Sequence, residues 1–150
     1  MPKEFIMRGQ TAVAAPTEVL NMTGYRPGYG YILTEFQLYP STGLGVTGYE
    51  MPGSITADNT AMAPDNPDFH SDGLIATALA WGHPGSGQSA PYHLSVINDL
   101  FVITQDLILM IADTASTPVN WQVRFKEVKL SASAEAVANF KQYTIYNTSS

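Results

Sequence analysis

Glycine and proline interrupt this chain so often that little room is left for an ordinary helix. The 12 Gly and 10 Pro cut it into short segments, many of them alternating and rich in β-branched or aromatic residues, which is the pattern of strands. Strands are expected at residues 4–8, 29–39, 92–97, 100–112, 120–130 and 140–146, with weaker ones at 18–22, 45–50 and 54–57; the apolar run 74–81 fits a buried strand or a short helix, and the β context favours the strand. The Ala-rich stretch 131–138 is expected to form one or two helical turns. Strands follow strands without the β–helix alternation that builds a parallel sheet. The expected fold class is therefore all-β: an antiparallel two-sheet sandwich, with a single jelly roll of about eight strands preferred and an immunoglobulin-like sandwich as the alternative.

Residues 1–150 match the size of one domain, able to bury about 70% of its unfolded surface, with a short arm-like N-terminus and a polar C-terminal tail. In the run 29–39, strict alternation puts Ile32, Thr34, Phe36 and Leu38 on a core face. The same alternation puts Tyr29, Tyr31, Leu33, Glu35, Gln37 and Tyr39 on an amphipathic one. The run 100–112 is apolar on both faces in its second half and is expected to be a central strand, paired as a hairpin with 120–130 across the turn at 113–118. Within that partner the apolar phase moves from Trp121, Val123 and Phe125 to Val128 and Leu130. A β-bulge or a change of sheet near Lys126-Glu127 would produce the shift.

Charged residues make up only 13% of the chain, about half the ~25% usual in soluble domains. A surface made of Ser, Thr, Asn, Gln, Gly and Tyr is cheaper to bury against a neighbour than one of Lys and Glu. Net charge is −6, which disfavours direct nucleic-acid binding. No Lys or Arg stands between Arg26 and Arg124, a stretch that carries nine acids, whereas Arg124, Lys126, Lys129 and Lys141 crowd the C-terminal region. If folding keeps these groups apart, they form complementary faces for subunits meeting head to tail; otherwise they intermix on one surface. The opening Met-Pro-Lys-Glu-Phe-Ile-Met-Arg is too short an apolar run for a signal peptide. No stretch has the length of a membrane span. Cytoplasmic synthesis and no membrane partner are the expectations.

Zero Cys rules out disulfides, thiolate metal sites and Cys nucleophiles. Asp65, Asp68 and Asp72 concentrate oxygen ligands in one loop and are the best candidates for calcium. That loop lacks the EF-hand order, and Asn-Pro and Asp-Gly are also ordinary turn formers, so no metal or other cofactor is expected. The three histidines, His70, His83 and His93, have no zinc-like spacing, and Gly85-Ser86-Gly87 lacks the nucleophile-elbow frame. No catalytic residues are assigned and no enzyme is expected. Tyr25, Tyr29, Tyr31 and Tyr39, with Arg124 and Lys126, are the candidate interface residues. Tyrosine serves equally in a core, at a protein contact or under a sugar ring.

The stretches Ser95-Val96-Ile97-Asn98-Asp99, Ile103-Thr104-Gln105-Asp106-Leu107-Ile108-Leu109, Pro118-Val119-Asn120-Trp121-Gln122 and Glu135-Ala136-Val137-Ala138-Asn139-Phe140-Lys141-Gln142 resemble small virion structural proteins of marine bacterial viruses (bacteriophages). The resemblance covers most of the chain. It implies a capsid, vertex or decoration protein built as one jelly roll, located in the virion, with copies of itself and other virion proteins as partners. It transfers no catalytic residues. A carbohydrate-binding β-sandwich, with a glycan as ligand, is the alternative function.

Overall fold

The computed structural model describes residues 3–11, 17–22, 28–41, 48–57, 63–83, 89–112 and 117–131, with Ala134 and Ala138. Tyr25 and the expected strand at 140–146 lie outside the described residues. Eight strands follow one another: β1 (Glu4–Gln10), β2 (Thr17–Leu20), β3 (Tyr29–Pro40), β4 (Tyr49–Thr56), β5 (Leu74–His83), β6 (Ser89–Ile97), β7 (Leu107–Ile111) and β8 (Val119–Lys129). They form a three-stranded sheet in the order β1-β8-β3 and a five-stranded sheet in the order β2-β7-β4-β5-β6. Every ladder is antiparallel. The fold is the expected all-β sandwich, and the pairs β1–β8, β2–β7 and β4–β5 nest as the winding of a jelly roll requires. A fourth nested pair, β3–β6, would complete that winding. Here β6 pairs with β5, and it reaches β3 through a side chain, the Leu38 N–H donating to His93 Nε2 at 3.1 Å.

The core lies between the sheets. β1 and β8 turn Phe5, Met7, Val123 and Phe125 inward in matched register, and β7 contributes Leu107, Leu109 and Ile111 from the facing sheet. Phe125 is fully buried, stacked on Phe5 at 5.2 Å between ring centroids, and Phe5 meets Tyr31 edge-on at 5.4 Å. In β4, Pro52 is tolerated at mid-strand because its carbonyl, accepting from the Ala112 N–H at 3.0 Å, and its missing N–H both face the β7 side. The regular β4–β7 ladder begins only at Gly53.

Three expectations need correction. The bulge lies in β3, where the register with β8 shifts between Leu33 and Glu35. Thr34 is the extra residue, exposed, its hydroxyl donating to the Arg124 carbonyl at 3.2 Å. It lets Tyr31, Leu33, Phe36 and Leu38 all point inward, so the face drawn by strict alternation fails and Tyr31 belongs to the core. β8 keeps one phase from Val119 to Glu127, and Glu127, at 9% exposure, occupies the inward position that the apolar letters skip.

The run 100–112 is not one strand, and β7 forms no hairpin with β8, because the two lie in different sheets. Leu100 is 87% exposed in a turn set by Asn98, whose Oδ1 accepts from the Leu100 N–H. Ile103 exchanges two backbone hydrogen bonds with Tyr31 at the edge of the three-stranded sheet, and Asp106 Oδ1 accepts from the Met22 N–H at 2.7 Å. Only then does β7 enter the five-stranded sheet. Its buried members Phe101, Ile103, Leu107, Leu109 and Ile111 are apolar because they pack against one sheet and then the other, with Thr104, Gln105 and Asp106 between them.

Candidate functional site: the two outer sheet faces

β6 is built inside out. Tyr92, Leu94 and Val96 are 48%, 49% and 47% exposed, while the alternate residues His93, Ser95 and Ile97 point inward. Register places Leu94 beside Leu79 and Pro52, Val96 beside Thr77 and Ser54, and Tyr92 beside Trp81 and Glu50. Opposite them, β5 turns the small residues Ala76, Ala78 and Ala80 into the core, so its bulkier side chains Leu79 and Trp81 fall on the outer face. Trp81 and Tyr92 meet edge-on at 6.4 Å. Phe69, 64% exposed, rises beside this stripe from the loop 63–73. Loop and strands together enclose a groove of about 500 Å³ with Leu79, Leu94 and Val96 on its floor and Glu50 and Asp65 at its rim. An adjoining hollow of about 290 Å³ shares Phe69, Thr77 and Val96 and adds Asp72. Contiguous exposed apolar surface of this kind marks a contact site.

The outer face of the three-stranded sheet has the opposite character. Its rows run Glu4–Lys126–Ile32, Arg8–Gln122–Gln37 and Gln10–Asn120–Tyr39, with Ile6–Arg124–Glu35 between the first two. Arg8 Nη2 donates to Gln122 Oε1 at 2.7 Å, Gln122 Nε2 to Glu35 Oε1 at 3.0 Å, and Arg124 Nε to Glu35 Oε2 at 3.3 Å. Gln10 Nε2 donates to Asn120 Oδ1 at 2.9 Å. Such half-exposed contacts each contribute under about 1 kcal/mol; their effect is to hold a polar, preorganised face. Of the candidate interface residues, Tyr39 (61% exposed), Arg124 and Lys126 share this face. Tyr29 is half-buried at its end, opposite Lys129, and Tyr31 is 2% exposed beneath it.

Asp65, Asp68 and Asp72 are exposed. Asp68 Oδ1 accepts from the His70 N–H at 2.9 Å, and the Asp68 carbonyl accepts from the Ser71 N–H at 3.1 Å, so this acid shapes successive turns. Among the described residues no group of three or more His, Asp or Glu is gathered where it could hold a metal ion. The apolar stripe on β5 and β6 was the feature hardest to see. The sequence marks 92–97 as a strand without saying which of its faces is buried; the exposures and the inward hydrogen bond of His93 settle that.

Because His93 Nε2 accepts the Leu38 N–H, its ring proton sits on Nδ1 and the imidazole is neutral. Burial pushes its pKa below the ordinary histidine value. The unfolded chain therefore takes up this proton first as pH falls. The contribution is full above about pH 6.5 and is lost as pH drops through that value toward the folded-state pKa. The urea midpoint is expected to fall between about pH 7.5 and about pH 5.5, and His93→Gln, whose amide oxygen can accept the same N–H, should flatten that dependence. An unchanged slope in the variant would assign the effect to other groups.

No protein-family model matches this chain, and no curated protein matches it at a significant level.

Proposed function

We propose that this protein is a non-enzymatic structural subunit that assembles through its outer sheet faces, as a capsid or capsid-decorating protein of a virion. The reversed strand β6 supports this reading most directly. Leu79, Leu94 and Val96 remain 39%, 49% and 47% exposed; full burial of such a side chain is worth roughly 1.5–3 kcal/mol, so a neighbouring subunit recovers about half of that for each one it covers. The low charge content and the resemblance to virion proteins agree with the same role. Light scattering across the micromolar range, with a search for the polypeptide in purified particles, tests the proposal. Association with itself or with shell proteins is expected; a monomer at every concentration that is also missing from particles would remove it.

A second reading has one observation in its favour. Tyr39 stands among Arg8, Gln37, Asn120 and Gln122 around a hollow of about 500 Å³, and planar amides beside an aromatic ring suit sugar hydroxyls and sugar faces. Silence on a glycan array from protein that assembles normally would eliminate it.

A further inference from the structure

We infer that copies of this chain stack head to tail, the outer face of β1-β8-β3 in one copy covering the outer face of β4-β5-β6 in the next. The inference rests on the assembly reading above and specifies its partner as a second copy. Its ground is the separation of charge across the sandwich. Among the described residues, the five-stranded sheet and its connections carry Glu18, Glu50, Asp65, Asp68, Asp72, Asp99 and Asp106 and no Lys or Arg. The outer face of the three-stranded sheet carries Arg8, Arg124 and Lys126 against Glu4 and Glu35. The acids that rim the apolar groove, Glu50 and Asp65, would face their own copies across any twofold made from that side. Like charges in such a contact are costly, whereas the cationic face of a neighbour complements them.

Apolar groups match as well. The groove presents Leu79, Leu94 and Val96, and the cationic face presents Ile6 at 44% and Tyr39 at 61% exposure among its amides and cations. Two unlike faces on opposite sides of one molecule make a heterologous contact, which propagates into a ring or a filament and cannot stop at a dimer.

Two face variants test this. Arg8→Glu with Lys126→Glu reverses the cationic face and leaves the groove intact; Leu94→Arg puts a cation in the groove and leaves the other face intact. Each alone should associate at least tenfold more weakly than wild type, and an equimolar mixture should form a one-to-one dimer and nothing larger, because only one compatible pair of faces remains. Wild-type assembly without rescue in the mixture would overturn head-to-tail stacking and leave the assembly reading standing. A wild type that never self-associates removes the stacking, and the assembly reading falls with it only if the polypeptide is also missing from purified particles. Should a variant fail to fold, carbodiimide crosslinking of the assembled wild type gives a separate readout. A Lys126–Glu50 or Lys126–Asp65 crosslink joining two copies is expected, and its absence from an otherwise crosslinked assembly counts against the stacking.

Discussion

Deletion of Ile32 should destabilise the sandwich by several kcal/mol, enough to unfold a domain at the low end of ordinary stability, while deletion of Thr34, two residues away in the same strand, should cost no more than about 1 kcal/mol. Removing Thr34 takes out the one residue of β3 that has no partner in β8, so Leu33 and Phe36 stay inward and Glu35 stays opposite Arg124. Its hydroxyl bond to the Arg124 carbonyl is the main contact forfeited, a net contribution of about 1 kcal/mol. Removing Ile32 instead slides everything before it by one position and reverses its facing. Tyr31 would leave the core for the polar face and give up its paired hydrogen bonds with Ile103. Tyr29 would take the place of Gly30, where even a Cβ would come within 2.6 Å of Val102 Cγ1 and 3.1 Å of Leu130 Cδ1. Expelling one large side chain costs roughly 1.5–3 kcal/mol and forcing another into filled space a further 1–3 kcal/mol. That reaches the low end of ordinary domain stability, about 5–15 kcal/mol. Thermal melts of the two deletions by circular dichroism decide the matter. Equal loss in both would show that Thr34 is not a removable insertion.

Phe125→Ala should destabilise the sandwich by about 3–5 kcal/mol, the range for a large aromatic removed from a packed core. The ring is fully buried in the central strand of its sheet, with Phe5 stacked on one side and Leu33 paired across the ladder. Phe5 lies on β1, which among the described residues is paired with β8 alone, so the cavity would also loosen β1 and let Phe5 shift from its contact with Tyr31. Chemical denaturation gives the value directly. A loss below about 1.5 kcal/mol would mean that β1 collapses into the space, as partial relaxation allows.

The parts of the fold that could be read beforehand are those where one physical cause determines the letters. β1, β3 and β8 were found within about two residues because their alternation follows burial on one side and water on the other. The run 100–112 misled because apolarity reports burial and not continuity: Phe101 and Ile103 serve one sheet, and Leu107, Leu109 and Ile111 the other. Tyr31 was misplaced because a single inserted residue, Thr34, changes the facing of everything before it. For β6 the sequence marks the strand but not its facing, since its apolar residues face out and a histidine inside is held by a bond to a distant strand. Charge separation was visible in the linear order, and the winding explains why it survives folding. The first and last described strands pair with each other, so the cations near both ends of the chain collect in one sheet and the acidic middle supplies the other.

Among the described residues, β6 has one ladder, to β5, and reaches β3 through the imidazole contact to Leu38. Among the strands that carry the exposed apolar stripe it is therefore the one that can tilt at the least cost. In the assembly proposed above, compliance at that face would let one subunit meet neighbours at slightly different angles. The place where the jelly-roll winding stays unpaired is therefore where the sandwich is expected to yield first, before the layers of its core.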